Sequence, residues 1–404
     1  MRFEIMTLQA NYSQLLPRRI ANNLLLLACF LILCGILIAG LSPFTPHLKN
    51  QVQWLDHQNG LYFGAHASIL SSTPLHVDGP PDGPCSVELW LQPGSVDRSN
   101  TMLAFQVPET PLQFRIQQNN DALMLTRQVT GADREASRKL IYINDVFRQD
   151  TPLLITVTSG APGTAVYLNG TLTRSSTDFR LTRHDLNGGI VVGNSPVVND
   201  SWSGVLRGIG IYNRELTADQ VRRDYEEWAR SGQPGDLGEK KAVAIYPFTE
   251  RSGKVVHSQV SSAVDLQIPD YYLVLYPPFL QPFWKHWGWN WAFWKDGLIN
   301  VAGFMPLGFC YCAYFSLSRP VSRAIILTII FGCAISFIIE ATQFYLPTRD
   351  SDSMDVINNT LGTVLGAVCY RPRFVQKLLA LFGIVSLENS AAHFAPGGAL
   401  LKAS

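Results

Sequence analysis

Near the C-terminus, acidic and amide side chains lie inside and between long apolar segments. Glu340 and Gln343 are three residues apart, and Asp355 and Asn359 are four apart, so each pair shares one face of a helix. A carboxylate at the centre of a bilayer costs about 3 kcal/mol or more, so it faces a helix bundle or a wet cavity rather than lipid. The spacing therefore predicts two polar stripes that meet across one pair of helices.

The same residues allow three kinds of role. Glu340 and Asp355 are candidates for a general acid and base, and Arg349 would hold a phosphate group. Together with the nearby amides, they would equally suit the binding of a polar ligand without a reaction. A structural role is also open, since interhelical hydrogen bonds in membranes stabilise by about 0.6 kcal/mol each on average. The residue types do not choose between catalysis, binding and helix association.

A wider polar set maps to the same depth in the predicted helices or above it. Glu340 lies about 9 Å below the outer end of its helix, at about 1.5 Å per residue. Pro306 interrupts another helix and can kink it, while Gly362 and Gly366 permit close helix approach and Gly308 is a further structural position. We predict that the following residues line a polar pocket open to the outer leaflet: Asp296, Asn300, Gln343, Arg349, Asp352 and Asn359.

This pattern resembles the signature of the VanZ-like membrane proteins. Two blocks carry the resemblance: Asp296-Gly-Leu-Ile-Asn300 followed by Pro306-Leu307-Gly308, and Glu340-x-x-Gln343 followed by an Arg- and Asp-containing loop and Asn359-Thr-Leu-Gly362. Met354 departs from the family, which often has a second Asp there, beside the one matched by Asp355. The resemblance covers roughly residues 290–372. It implies a helical membrane region associated with teicoplanin-type glycopeptide resistance and the cell surface, whose activity the motifs do not settle.

Four apolar segments are predicted to be transmembrane helices: 20–41, 298–317, 324–346 and 354–370. The last is short for a full bilayer. Residues 1–19 are polar and end in Arg18 and Arg19, which predicts a cytoplasmic N-terminus. A cleaved signal peptide is the alternative for the first segment. We favour a retained anchor, because the apolar core is long and no small-residue cleavage site follows it.

The positions of the basic residues predict one orientation of the chain in the membrane. Arg319 and Arg323 follow the second span, and Arg371 and Arg373 follow the fourth, so all four fall on the cytoplasmic side. The large segment between the first two spans is then periplasmic or extracellular, and the protein is a multi-pass protein of the inner or cytoplasmic membrane. The apolar run 374–386 is predicted to be an interfacial helix, and 387–404 a disordered tail.

Residues 283–295 hold five of the nine tryptophans of the chain, together with lysines. Indole rings near lysines favour the headgroup region of a bilayer, so we predict an interfacial collar that leads into the second span. A platform on which sugars stack is the alternative.

Residues 51–269 show a different pattern, with short alternating strands bounded by Gly, Pro and Asn, which is typical of a β-sandwich. Ser86–Gln92 and Val205–Tyr212 are two of the predicted strands. Asn169-Gly170 predicts a hairpin turn. A helix is predicted from Thr217, with Gln220 completing a capping box, to about Gly232.

These strands are similar to a laminin-G-like, concanavalin-A-like jelly roll. The residues that carry the resemblance are Ser86-Val-Glu-Leu-Trp90, Tyr167-Leu-Asn-Gly-Thr171 and Gly210-Ile-Tyr-Asn-Arg-Glu-Leu-Thr217. Ala244-Ile-Tyr-Pro-Phe248 resembles the strand that normally opens such a domain, yet here it follows the helix, which suggests a circularly permuted order. We expect it to close the sheet edge beside the strand at 60–63. A separate hairpin linker is the alternative.

The composition of the chain limits the classes of partner and cofactor that it is expected to have. The chain has 404 residues, 16% of them charged, and a formal net charge of +1, which indicates no nucleic-acid partner. Six of the seven cysteines lie in apolar segments, so only Cys85 is in the sandwich and no disulfide framework is possible there. The sandwich shows no metal-ligand spacing, and no cofactor is predicted. Lone Asp residues in its loops leave calcium binding open.

Together these features predict a membrane protein with an all-β jelly-roll sandwich and an α-helical bundle of four spans. The first functional hypothesis is an envelope protein that binds a glycan or an amphiphile at the outer leaflet. The second is an enzyme that acts on a lipid-linked glycan or phospholipid headgroup with Glu340 and Asp355. A transporter subunit is the third. The residues indicate no oligomeric state.

Overall fold

The structure is a computed structural model that describes residues 2–130, 136–231, 242–283 and 291–376. It contains two compact units, each considered by itself: Thr45–Pro277, and Met1–Phe44 together with Pro278–Ser404. Most of the predicted tryptophan collar (284–290), most of the predicted interfacial helix (377–386) and the whole predicted tail (387–404) lie outside the described residues.

The second unit is helical. Within its described residues the helices are α1 (Arg2–Leu41), α4 (Trp291–Ser316), α5 (Val321–Gln343) and α6 (Ser353–Tyr370). Helix α4 passes through Pro306 without a break. Helix α5 ends three residues before the predicted boundary at 346, because Pro347 disfavours helical geometry at the residue before it.

Three segments in the described part of the chain are long and apolar enough to cross a membrane: Ile20–Leu41, Trp294–Ser316 and Val321–Gln343. The predicted fourth span is not confirmed. A helix does form there, but at about 27 Å for its 18 residues it is short. Its buried face also carries Asn358, Asn359 and Thr363, which lower its hydropathy.

Helices α4 and α6 approach until their backbones touch. A methyl group added at Gly366 would lie 2.0 Å from the carbonyl oxygen of Met305, and one added at Gly362 would lie 2.2 Å from that of Val301. The contact is reciprocal, since a methyl group at Gly308 would lie 2.2 Å from the carbonyl oxygen of Thr363. These distances are too short for any side chain, so the glycines are what allows this crossing.

The first unit is a sandwich of two eight-stranded antiparallel sheets. One sheet has the order β1-β2-β13-β4-β9-β10-β11, with β14 also paired to β13: β1 (Val52–Trp54), β2 (Leu61–Phe63), β13 (Gly204–Tyr212), β4 (Cys85–Pro93), β9 (Leu153–Gly160), β10 (Gly163–Leu168), β11 (Thr171–Ser176) and β14 (Ala242–Tyr246).

The other sheet has the order β15-β16-β3-β12-β5-β6-β7-β8: β15 (Val255–Val256), β16 (Leu266–Gln267), β3 (Ile69–Ser71), β12 (Gly189–Val192), β5 (Ser99–Val107), β6 (Thr110–Asn119), β7 (Ala122–Thr130) and β8 (Ala136–Ile143). Its inward-facing residues and those of the first sheet form one core in which side chains such as Phe63, Phe105 and Trp202 are buried. This layering agrees with the predicted jelly-roll sandwich.

Two short sequence motifs in the sandwich, a turn and a helix cap, form the local structures that they predicted. The two-residue turn Asn169-Gly170 joins β10 to β11, and both residues have positive φ, as a type I′ turn demands. Besides the short α2 (Arg183–Leu186), the sandwich unit contains α3 (Ala218–Ser231), whose capping box joins Thr217 and Gln220 in both directions. Trp228 of α3 stacks on Trp90 at 6.2 Å, which fixes the helix against the sheet.

A buried acid lies within the first sheet and was not predicted. Glu88 on β4 is fully buried and accepts hydrogen bonds from the Tyr212 hydroxyl at 2.8 Å and the Thr156 hydroxyl at 3.0 Å. Burial, and then the neighbouring Glu88, raise the pKa of Tyr212 well above its usual value. The hydroxyl therefore stays protonated and available as a donor to the carboxylate.

The strand that the permutation hypothesis concerns is part of the sandwich rather than a linker. β14 pairs with β13, from Tyr246 opposite Ile209 to Ala242 opposite Tyr212. The expectation that it lies alongside β2 is not met. β2 pairs with the other half of the same β13 edge. The two strands therefore follow one another along that edge, and the Gly60 N–H donates to the Phe248 carbonyl at 3.0 Å where they meet.

We predict that Gly366→Ala lowers the free energy of unfolding of the helical unit by about 1–3 kcal/mol, because the new methyl group forces α4 and α6 apart. The measurement is thermal unfolding in detergent. Gly303→Ala on α4 is the matched control, since nothing lies within 4 Å of its added methyl group. Equal melting temperatures for the two variants would contradict backbone contact at Gly366.

Candidate functional site

Two adjoining cavities lie where the first residues of α4 meet the end of α5 and the start of α6. The first has a volume of about 390 Å³ and is lined by Asp296, Gly297, Ile299, Asn300, Asp350, Asp352, Met354, Asp355 and Asn358. The second has a volume of about 210 Å³ and is lined by Ile36, Ala39, Gly40, Ile299, Asn300, Gly303, Phe304, Ile339, Glu340, Gln343, Asp355 and Asn359. They share three lining residues, so one wall separates them.

That shared wall is built around one hydrogen bond. The Asn300 side-chain amide donates to Asp355 Oδ1 at 2.7 Å, joining α4 to α6. Both residues line both cavities. Their positions follow from the glycine contact between the helices, since Asn300 directly precedes Val301, whose carbonyl oxygen lies against Gly362.

Glu340 joins the end of α5 to the start of α6. Its side chain is 1% exposed, and Oε2 accepts the backbone N–H of Asp352 at 2.8 Å. Asp352 is the N-cap of α6, with its own carboxylate accepting the N–H of Met354 at 2.8 Å. Two carboxylates in series thus satisfy backbone donors at the helix start, where negative charge is favourable.

Asn359 lies deeper on α6. Its amide donates to the Ser336 hydroxyl on α5 at 2.9 Å, and the residue is 5% exposed. Its Oδ1 atom is buried and accepts no hydrogen bond from any described residue. A buried carbonyl oxygen without a donor costs about 1–3 kcal/mol, so this atom is a natural partner for a ligand donor.

The end of α1 is tied to the same region by two backbone carbonyls. The Gln343 amide donates to the Gly40 carbonyl at 2.7 Å, and the Arg349 guanidinium donates to the Ser42 carbonyl. These contacts bring Ile36 and Gly40 into the wall of the second cavity. Helix α1 therefore contributes to the site as well as to membrane anchoring.

The loop that enters α6 is held by a short segment of extended chain. The Gln281 N–H donates to the Ser351 carbonyl at 2.8 Å, and both the N–H and the hydroxyl of Ser353 donate to the Gln281 carbonyl, at 3.1 and 2.8 Å. This bridge fixes the backbone on each side of Asp352, which lines the first cavity.

Most of the predicted pocket residues converge, with one exception. Asp296, Asn300 and Asp352 line the first cavity, and Gln343 and Asn359 line the second. Arg349 lines neither cavity, because its guanidinium is directed to the end of α1. Its predicted role as a phosphate holder is therefore not favoured by the geometry.

Sequence reasoning missed three contributors. Asp350 and Asn358 line the first cavity, and α1 lines the second. Asn358 is three residues after Asp355, a spacing that would have placed it on the same helix face. The part played by α1 had no comparable signal, since Ile36 and Gly40 belong to an unbroken apolar run.

In the ranges that the structure describes, no three His, Cys, Asp or Glu side chains lie close enough together to hold a metal ion. The carboxyl groups around the first cavity are therefore spread along its wall.

The sandwich has a polar depression of its own. It has a volume of about 290 Å³ and is lined by His57, Gln58, Asn59, Arg207, Ser231 and Arg251. Arg207 lies at the irregularity in the pairing of β13 with β4, and its guanidinium donates to the Gln58 side-chain oxygen at 3.1 Å. A bulge redirects a side chain in this way, so the depression is a second candidate binding surface.

Comparison with known proteins gives two family matches. Residues 64–222 match the concanavalin A-like lectin/glucanases superfamily, and residues 242–379 match the VanZ/LLP1 family. Each model covers less than half of the chain. No curated protein matches this chain.

Solved structures resemble the sandwich at low identity. The heptameric SAP-like pentraxin of Limulus polyphemus is 15% identical, with a TM-score of 0.34, and the match covers 55% of this chain and 93% of the pentraxin. A proposed carbohydrate-binding protein of Bacteroides ovatus is 10% identical, also with a TM-score of 0.34, over 50% of this chain and 58% of that one.

The receptor-binding domain of botulinum neurotoxin C/D mosaic serotype is 15% identical, with a TM-score of 0.34, over 46% of this chain. The match spans about half of that domain, 49% of its length. The two family matches agree with the resemblances carried by the sequence motifs, although the VanZ/LLP1 match begins inside the sandwich unit, which ends at Pro277. The chain therefore joins a concanavalin A-like domain to a VanZ-like membrane region.

Proposed function

We propose that this protein is a binding protein of the bacterial cell envelope, and that its two adjoining cavities take the polar headgroup of a glycan-bearing or other amphiphile. The observation that carries the proposal is the lining of these cavities. Polar side chains from α4, α5 and α6 surround open volume. A bundle held together only by interhelical hydrogen bonds would instead be closed at this position.

The hydrogen bonds support binding alongside a structural role. Asn300, Glu340 and Gln343 each have one protein partner, which accounts for helix association. The buried Asn359 Oδ1 is left over after that function is met. A site shaped for an occupant explains this atom, and a purely structural network does not.

We assign the sandwich the recognition of a surface glycan. The name of its superfamily connects this fold with lectins and glucanases. The depression lined by Arg207 and Arg251 is the surface that we propose for this contact. A link to glycopeptide resistance is suggested only by the VanZ name.

An enzyme acting on the headgroup is the second candidate. One observation favours it, since Glu340 and Asp355 line the same cavity, as an acid and base pair must. The position of Arg349 weakens it, because a phosphate in either cavity would meet no guanidinium from that residue.

We place the protein in the inner or cytoplasmic membrane, with its N-terminus in the cytoplasm and the sandwich periplasmic or extracellular. Arg319 lies between α4 and α5, Arg323 lies in the first turn of α5, and Arg371 and Arg373 follow α6, which is the cytoplasmic end by the charge rule. The cavities then lie toward the outer surface.

The binding proposal predicts that the purified protein carries a bound amphiphile that Gly303→Leu excludes. Gly303 lines the second cavity, and nothing lies within 4 Å of a carbon added there, so leucine adds bulk without a clash at its first carbon. The measurement is native mass spectrometry after reconstitution with the polar lipid and glycolipid extract of the producing cell. Gly35→Leu, on α1 and equally unobstructed at that carbon, is the control. The same adducts on both variants would contradict the proposal.

Conservative substitutions separate binding, catalysis and helix association. Glu340→Gln keeps an oxygen that can accept the Asp352 N–H, and Asp355→Asn keeps one for the Asn300 amide. For a binding protein we expect unchanged thermal stability and a cell-surface phenotype that is weakened but not abolished. Complete loss of the phenotype at normal stability would instead favour catalysis, and a loss of about 1 kcal/mol or more in stability would favour helix association.

The orientation predicts unequal labelling of two introduced cysteines. Ser318→Cys lies in the exposed turn between α4 and α5, and Tyr345→Cys lies after α5 at a position that is 74% exposed. In a Cys369→Ser background, a membrane-impermeant maleimide should label Tyr345→Cys in intact spheroplasts. It should label Ser318→Cys only after permeabilisation. The reverse pattern would invert the topology.

A further inference from the structure

We propose that the two adjoining cavities recognise an ammonium group, so that the ligand is an amine-bearing sugar or amphiphile. This inference rests on the proposed function and specifies the ligand class of the same site. Three observations carry it: the charge of the lining, an unpartnered buried acceptor, and the engagement of Arg349 outside the cavities.

The described lining of the cavities is acidic. Asp296, Asp352 and Asp355 line the first cavity, and Glu340 and the shared Asp355 line the second. Of the residues that the structure describes, no Lys, Arg or His lines either cavity. Like charges held together repel most strongly where the surroundings are poorly polarisable, and a bound cation relieves that repulsion.

The second cavity also holds an acceptor that requires a donor. Asn359 is 5% exposed and lines this cavity, and its Oδ1 receives no hydrogen bond from the residues described. If the amide were turned around, the Ser336 hydroxyl would donate to the oxygen and the NH2 group would be left over. The acidic neighbours Glu340 and Asp355 favour a ligand that donates, and therefore the assignment in which the oxygen is free.

Arg349 is engaged outside the two cavities. The Arg349 guanidinium donates to the carbonyl of Ser42 at the end of α1, and the residue lines neither cavity. A phosphate, sulfate or carboxylate group in these cavities would face carboxyl groups with no arginine opposite. The lining therefore selects against anionic headgroups as well as for cationic ones.

An ammonium fits this lining better than a metal ion. Divalent cations need several oxygen ligands converging on one point, and no described group of three acidic, histidine or cysteine side chains does so here. An ammonium carries its charge with three separate donors, which can reach acceptors spread along a wall. The first cavity, at about 390 Å³, has the size of a small-molecule site.

The test uses the full chain in nanodiscs of neutral phosphatidylcholine and two matched pairs of probes. Glucosamine and N-acetylglucosamine differ in the charge of one nitrogen, and so do sphingosine and N-acetylsphingosine. We expect the amine of at least one pair to bind about tenfold or more tighter than its acetylated partner, a difference of about 1.4 kcal/mol. Preference within the sugar pair identifies a soluble amine as the source, and preference within the lipid pair identifies an amphiphile.

Two variants connect that preference to the site. Asp355→Asn keeps an acceptor for Asn300, and Asp296→Asn changes a position that is exposed. Each should lower amine affinity about tenfold and leave the affinity for the acetylated partner unchanged. Asp219→Asn on α3, whose side chain is 71% exposed, is the control and should have no effect.

The possible outcomes distinguish a failure of the ammonium assignment from a failure of the proposed binding function. Equal binding of amine and acetylated probes, both blocked by Gly303→Leu, would overturn the ammonium assignment and leave the headgroup site standing. No binding of any probe, together with no amphiphile on the purified protein, would overturn both. Amine binding that Asp355→Asn and Asp296→Asn leave unchanged would place the amine elsewhere and also overturn the inference.

Discussion

The backbone contact between α4 and α6 is the constraint on which the helical unit depends. Gly308, Gly362 and Gly366 each lie where any side chain would overlap a carbonyl oxygen of the facing helix. At this separation the first part of α4 is held against the start of α6, and Asn300 reaches Asp355 at 2.7 Å. A wider crossing would separate that pair and open the wall between the two cavities.

The polar residues of this unit divide into satisfied and unsatisfied groups. Glu340 and Asp352 accept backbone N–H groups at the start of α6, so their position follows from the needs of a helix N-terminus. Asn359 retains a buried oxygen that no described side chain or backbone group meets. The first group explains why the helices associate, and the second indicates that association alone is not their purpose.

In the sandwich, a buried polar group is satisfied by hydrogen bonds from neighbouring strands. Glu88 is fully buried on a central strand, yet Tyr212 and Thr156 donate to its two oxygens across neighbouring strands. Strand pairing sets these distances, because residues facing each other across a ladder keep a fixed separation. The interior of the sandwich, as far as the structure describes it, is filled. The helical unit, in contrast, keeps open polar volume.

Several features of this protein were decided by the amino-acid sequence alone. Alternation of apolar residues, the Asn169-Gly170 turn and the capping box at Thr217 predicted the strands, hairpin and helix of the sandwich, because each depends on near neighbours. Long apolar runs predicted four membrane-crossing helices, of which three are long and apolar enough to span, and helical spacing placed Glu340 with Gln343 and Asp355 with Asn359. The fourth, α6, is not confirmed as a span, because it is short and its polar residues lower its hydropathy.

Tertiary structure decided where those faces meet. Spacing along one helix could not show that Arg349 is directed to the end of α1, or that Ile36 and Gly40 line the second cavity, because these contacts join residues about 300 positions apart. The pairing of β14 with β13 rather than with β2 was equally hidden, since an edge accepts any strand of suitable pattern. The sequence by itself determined which residues are polar and which helix face bears them; only packing decided which of them surround a common space.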